Sequence, residues 1–176
     1  MGTKFTYALI LTIAGAIFNL LMYFTGFQTE KLAVGQYLNW LMTGISIVIL
    51  WLGIKAVREE TPDKSLSYGQ GVGTGVLISL YSGLMSAVYT YVHFKFINPG
   101  FFDYQMDLMR QKWTQAGLSD DKIAQAEAMT QKFMGPVSSA ILTPIFVVLF
   151  GLIISLILAA ILKRDKPAGA VPPAVA

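Results

Sequence analysis

Charge falls along the chain in clumps, separated by four uncharged intervals: Phe5 to Thr29, Leu32 to Ile54, Ser65 to Phe94 and Phe133 to Leu162. These run to 25, 23, 30 and 30 residues. Each reaches the roughly 20 residues that an α-helix needs to cross a hydrocarbon core about 30 Å thick. The pattern predicts four transmembrane helices, at about 5–24, 38–54, 72–94 and 137–162. Rings gather where spans end: Tyr23, Phe24, Phe27, Tyr37 and Trp40 at the first exit, and Tyr89, Tyr91, Phe94 and Phe96 at the end of the third. Aromatic side chains favour the headgroup level, so ordinary anchoring accounts for them ahead of a binding rim.

The connection from Asn98 to Gly135 has helical periodicity of its own. Phe102, Met106, Met109 and Trp113 recur at steps of four, three and four, a single stripe at 3.6 residues per turn. Asp103, Asp107, Arg110 and Thr114 occupy another face. Asn98-Pro99-Gly100 breaks the chain before this helix, and Gly117 follows it. Ser119 then reads as an N-cap with Asp120 and Asp121 in the first turn. Ile123, Ala126, Thr130, Phe133 and Met134 form a weaker stripe behind it. An amphipathic helical hairpin over about 99–134 is therefore expected, either as a cap on the interface or the bundle's end, or as a lid or docking surface. The expected fold class is all-α: a polytopic membrane protein of four transmembrane helices with this hairpin, extracytoplasmic, between helices 3 and 4. One domain would cover 1–164, followed by a disordered Ala/Pro-rich tail over 165–176.

Composition narrows the class further. Of 176 residues, 55% are apolar and 13% charged, against about 25% charged in soluble domains, which excludes a soluble globular protein. There is no cysteine, which excludes disulfides, thiolate metal sites and a cysteine nucleophile. The net charge of +3 is dispersed among span ends, where basic residues report orientation rather than nucleic-acid binding. Lys4, Lys55, Arg58, Lys64, Lys163, Arg164 and Lys166 share one side, in short segments beside span ends. Lys31, Lys95, Arg110, Lys112, Lys122 and Lys132 share the other, mostly within the hairpin among five acidic residues. Placement rather than count puts both termini in the cytoplasm. Lys4 with Ala14-Gly15-Ala16 also fits a cleaved signal peptide, but the apolar run continues through Ile17, Phe18, Leu20 and Leu21. Gly2 and Thr6 match a myristoylation pattern only weakly, because Phe5 already begins a membrane segment.

Small residues mark packing faces. Gly71, Gly75, Ser79, Gly83 and Ala87 recur every fourth position in the third span. The fourth carries Gly135, Ser139, Thr143, Gly151, Ser155 and Ala159, interrupted at Val147. Helices in lipid associate by close approach along such stripes, so either these two spans pack tightly together or one face serves a homodimer. Tyr68-Gly69-Gln70-Gly71-Val72-Gly73-Thr74-Gly75 is not a phosphate loop: Thr74 stands where a dinucleotide fingerprint needs glycine, and no Gly-Lys-Ser/Thr follows. Pro136 suits a helix start, whereas Pro144 sits inside the fourth span as a packing feature or a transporter hinge.

No Asp, Glu, Lys, Arg or His lies at mid-span, so the usual groups of proton relays are missing there. Neutral candidates are Asn19 in the first span, Ser79, Ser82, Ser86 and Thr90 in the third, and Ser138, Ser139, Thr143 and Ser155 in the fourth. His93 is the single histidine; a polar site built from Asn19, His93, Asp103 and Asp107 competes with a plain interfacial role for it. No spacing supports Ser-His-Asp chemistry, and no catalytic, cofactor-binding or metal-binding residue is expected.

Tyr68-Gly69-Gln70-Gly71 with Gly75, Asn98-Pro99 with Phe102, and Ile153-Ile154-Ser155-Leu156-Ile157 with Ala159 and Lys163-Arg164 resemble a bacterial four-span family known only as domain of unknown function 4199. The resemblance runs from the first span to Arg164. It implies four spans, an extracytoplasmic helical insertion and the bacterial cytoplasmic (inner) membrane, and it carries no activity. The expected function is that of a non-enzymatic membrane subunit, its partners being the lipid bilayer and either copies of itself or another membrane protein. The alternative is a small oligomeric transporter or channel for a neutral or lipid-like solute, motivated by the Ser/Thr positions and Pro144. An enzyme working through His93 and the hairpin acids ranks last.

Overall fold

The computed structural model describes residues 2–165, so the expected tail lies outside the described residues from 166 onward. Among them are six α-helices: α1 (Thr3–Phe24), α2 (Leu32–Glu60), α3 (Tyr68–Val92), α4 (Phe101–Gln115), α5 (Asp120–Gln131) and α6 (Pro136–Leu162). A π-helical turn, His93–Ile97, prolongs α3. α1, α2, α6 and α3 with its π turn are long and apolar enough to cross a membrane. Large apolar side chains such as Ile17, Val48, Ile145 and Ile161 stand exposed on them, the surface that lipid would cover. α2 extends past the apolar segment expected at 38–54, because Lys55, Ala56, Arg58, Glu59 and Glu60 are adequate helix formers and nothing breaks the helix before Pro62.

α3 begins with a capping box. Gln70 N–H donates to Ser67 Oγ at 3.2 Å, and Ser67 N–H donates to Gln70 Oε1 at 2.9 Å. Two backbone donors of the first turn are thereby satisfied, and the glycine-rich run after Ser67 is the opening of a packing helix.

α3 is central, touching α1, α2 and α6, with α6 its most extensive neighbour. The two helices are antiparallel: Gly71 meets Ala159, Gly75 meets Ser155, and Ser79 meets Gly151. A Cβ on Gly75 would stand 1.9 Å from Ser155 Oγ, and one on Gly151 would stand 1.9 Å from Ser79 Oγ. These are one arrangement seen from both sides, a Gly-x-x-x-Ser segment in α3 against a Gly-x-x-x-Ser segment in α6 about a local two-fold axis. Both hydroxyls are buried and make no hydrogen bond; contact of each oxygen with the opposing glycine Cα–H suits the geometry. Val147 breaks the register of fours, and Pro144 takes over: a Cβ on Gly83 would meet Pro144 Cα at 2.9 Å. α6 continues through Pro144, so the proline is a contact surface for Gly83. Beyond it Thr143 Oγ1 donates to Ser139 O at 2.8 Å and lies 3.3 Å from Thr90 Oγ1, while Ala87 is half-buried.

The two ends of the bundle close differently. At the end rich in lysine and arginine, Ala8, Leu50, Ile54, Leu66, Ile78, Leu158 and Leu162 form the main core. Leu66 and Arg164 exchange two backbone hydrogen bonds of 2.9 and 3.0 Å, and Arg58 Nη1 donates to Leu162 O at 3.4 Å. The last carbonyl of α6 thus faces the Arg58 guanidinium, as the helix dipole favours. At the other end α4 and α5 form a hairpin through Met106 and Ile123, both buried, and an Arg110–Glu127 ion pair. Phe102, Met109 and Trp113 are half-buried. Lys112 Nζ donates to Gln36 Oε1 of α2 at 3.0 Å, and Phe94 of the π turn stacks on Phe101 at 4.6 Å.

Two outcomes follow. Gly75→Ala destabilises the bundle by about 1–3 kcal/mol, as overpacking does, and adding Ser155→Gly to the same chain recovers most of that loss, read by reversible unfolding in mixed micelles. The Arg110 guanidinium, hydrogen-bonded to Glu127, holds that carboxyl below the usual glutamate range. A depressed folded pKa adds stability above the unfolded value and loses it as pH falls through the folded one. Hydrogen-exchange protection of α4 and α5 therefore drops modestly below about pH 4.3, and Glu127→Gln abolishes that pH dependence.

Candidate functional site

Drawing α3 and α6 together leaves space beside them, because α1 and α6 make no extended contact. The space is a cavity of about 380 Å³ between α1, α2, α3 and α6, within the range of small-molecule sites, about 300–1,000 Å³. Its walls differ in chemistry. Thr12 and Asn19 come from α1, and Asn39, Thr43 and Ser46 from α2; α3 adds Ser82, Ser86, Tyr89 and Thr90 above Ser79. From α6, by contrast, come Phe146, Val147 and Phe150, with Thr143 the one hydroxyl. Among the described residues no charged side chain lines it.

Several of these hydroxyls return their proton to the carbonyl one turn back. Thr12 donates to Ala8 O (2.9 Å), Thr43 to Asn39 O (3.1 Å) and Ser46 to Met42 O (2.8 Å). Such bonds let a polar side chain sit in a membrane helix and leave its oxygen able to accept. Thr12 and Ser82 also meet, Oγ1 to Oγ at 3.1 Å.

A hydrogen-bonded chain of polar groups closes the cavity toward the hairpin. Asn19 Nδ2 donates to Gly15 O at 3.0 Å, and Gln28 Nε2 donates to Asn19 Oδ1 at 2.8 Å. Gln28 Oε1 lies 2.8 Å from His93 Nε2 and accepts from Asn98 Nδ2 at 3.4 Å. The Tyr89 hydroxyl is 3.1 Å from His93 Nδ1 and 3.1 Å from Ala16 O. With Gln28 Oε1 as the acceptor, His93 Nε2 donates to it, while Ala16 O and His93 Nδ1 both lie within reach of the single Tyr89 hydroxyl proton. Tyr23 and Phe94 stand edge-on to the ring at 6.2 and 5.1 Å. The π turn, whose Asn98 N–H donates to His93 O at 2.8 Å, brings Asn98 back to Gln28.

Asn19 and His93 are thus brought together through Gln28. Asp103 is exposed, and Asp107 pairs with Arg110 at 3.5 Å, so neither joins them. Among the described residues no three His, Cys, Asp or Glu side chains gather in a metal-binding group. Ser82 pairs with Thr12 rather than with the imidazole. Ser82, Ser86, Thr90 and Thr143 face the cavity; Ser79 lines it with its hydroxyl buried against Gly151, Ser155 belongs to the same α3–α6 contact, and Ser138 and Ser139 lie half-buried near the start of α6. Sequence reasoning passed over Gln28 and the α2 residues Asn39, Thr43 and Ser46. For Gln28 a signal existed: the first uncharged interval runs on to Thr29, five residues past the expected span end at Phe24.

The family model described as Protein of unknown function (DUF4199) matches residues 6–164, and the chain belongs to that family. No curated protein and no solved structure matches the chain. Gln28 holds this hydrogen-bonded chain at its centre, so Gln28→Leu, which strips His93, Asn19 and Asn98 of a partner, costs about 1–3 kcal/mol of stability. Tyr89→Phe costs less, about 0.6 kcal/mol, because it removes one hydroxyl shared between Ala16 O and His93, whereas Gln28 has three side-chain partners. Chemical unfolding of both variants in micelles checks the order.

Proposed function

We propose that this member of the DUF4199 family is a non-enzymatic integral membrane protein that binds an uncharged solute inside its helix bundle. The cavity is the observation that carries it: hydroxyls and amides converge from three helices on a space of about 380 Å³ that no charged side chain lines among the described residues. A charged solute would lie at membrane depth without a counter-charge, which is costly. A neutral one gains hydrogen bonds on one side and apolar contact on the other. The bundle sits in the cytoplasmic membrane with its lysine- and arginine-rich end inside and the α4–α5 hairpin outside, because Lys4, Lys55, Arg58, Lys64, Lys163 and Arg164 lie in short segments beside the spans. Transport of the solute by an oligomer is a natural extension of this reading.

A second reading, a subunit that packs on a membrane partner, has lost its first motive, since the small stripes of α3 and α6 are occupied by one another. It now rests on a shallow groove of α2 between Trp40, Leu41, Gly44 and Val48, where Gly44 has open space above it.

Native mass spectrometry of the protein, extracted with its surrounding lipid, tests the proposal. An uncharged small molecule travels with the wild-type chain, and Ser86→Phe or Thr43→Phe, each filling the cavity, lowers its occupancy about ten-fold, equivalent to 1.4 kcal/mol. Equal occupancy in wild type and in both variants overturns it.

A further inference from the structure

We infer that the solute is an uncharged amphiphile that enters the cavity sideways from the bilayer, between α2 and α6. This inference rests on the reading of the cavity as a solute site and adds its route and chemical class.

Both ends of the cavity along the bundle axis are filled. Toward the basic end, Leu50 and Ile54 of α2 and Leu158 and Leu162 of α6 share one buried cluster. Toward the hairpin, the bonded chain Asn19–Gln28–His93–Tyr89 closes the way. The side between α2 and α6 differs: Asn39 of α2 and Phe146 of α6 both line the cavity and are both exposed, Phe146 at 64%. Phe146 lies ten residues into α6, at hydrocarbon depth, so its exposed face meets lipid. From Asn39 to Leu50 the α2 wall rises about 16 Å, half of a hydrocarbon core about 30 Å thick. A molecule seated there spans the headgroup level and the middle of the bilayer at once.

The two walls sort the parts of such a molecule. Asn39 and Ser86 line the polar wall, and their side chains make no hydrogen bond among the described residues. Together they offer donors and acceptors, which suits a head of hydroxyl and carbonyl groups. Phe146, Val147 and Phe150 offer only apolar surface, which suits a hydrocarbon chain leading out past Phe146. Among the described residues the lining holds no cation for a phosphate and no anion for an amine, so a charged headgroup finds no counter-charge there.

Photolabelling of the full chain in phosphatidylcholine nanodiscs tests this with two probes, a diacylglycerol and a phosphatidylglycerol carrying the same diazirine on one acyl chain. Peptide mass spectrometry is expected to find the diacylglycerol on cavity residues such as Met42, Val147 and Phe150, with phosphatidylglycerol restricted to outward positions such as Ile145 and Leu149. Ser86→Phe and Thr43→Phe each lower the cavity labelling about ten-fold and leave outward labelling unchanged, which shows that the variant is folded. Equal labelling of the cavity by both probes, or labelling by neither, overturns the amphiphile and its lateral entry. If a water-soluble neutral molecule is nevertheless retained in native mass spectrometry and lost in Ser86→Phe, the cavity stands as a solute site and only the route and class fall. If nothing is retained either, both readings fall together.

Discussion

Lipid solvates an apolar helix about as well as another helix does, so a membrane bundle must find its cohesion in close packing and hydrogen bonds. Here that constraint is met by the reciprocal contact of Gly75 with Ser155 and Ser79 with Gly151. Neither glycine has room for a methyl group, and each faces a hydroxyl that makes no other polar contact. The pair sets the distance between α3 and α6 along much of their length, with Gly71 against Ala159 on one side and Gly83 against Pro144 on the other. Everything else is arranged around a two-helix core that is narrower than leucine packing would permit.

The cavity follows from that narrowness. α1 docks on α3 through Thr12 and Ser82 and does not reach α6 over any length, while α2 joins α6 in the buried cluster at the basic end. Four helices cannot fill the centre when two of them approach so closely at one side. Hydroxyls and amides fill part of what is left, and several of them give their proton to a carbonyl of their own helix, which lets them sit at membrane depth. Among the described residues no charged side chain lines the cavity. The one histidine is held between Gln28 on one nitrogen and Tyr89 on the other.

Each end of the bundle is secured by means available only at its own depth. Where the helices leave the apolar zone on the basic side, Arg58 takes up the Leu162 carbonyl at the end of α6, and the Leu66–Arg164 backbone pair ties the residues after α6 to the segment before α3. On the hairpin side, the π turn redirects the chain so that Asn98 reaches Gln28 and Phe94 meets Phe101 and Phe102. A regular α-helix through His93 would rotate the residues that follow by a fraction of a turn, and the buried chain would lose a member.

The four apolar helices were legible in the sequence because hydrocarbon imposes a minimum length and excludes charge, and both requirements are local and additive along the chain. The small-residue stripes were legible as faces for the same reason: a spacing of four needs no knowledge of the partner. Which face met which did not follow, since a stripe in α3 serves a second copy as readily as α6; only the antiparallel register of Gly71, Gly75 and Ser79 on Ala159, Ser155 and Gly151 decided it. The cavity was less legible still. Asn19, Ser86 and Thr90 stood out as polar residues in apolar runs, but Asn39, Thr43 and Ser46 gain their meaning from a space that three other helices define. Gln28 and His93 lie 65 residues apart and meet because loop and π turn fold over the same end of the bundle. Length and polarity are properties of a segment, whereas convergence is a property of the packing, and the chemistry of this protein belongs to the second kind.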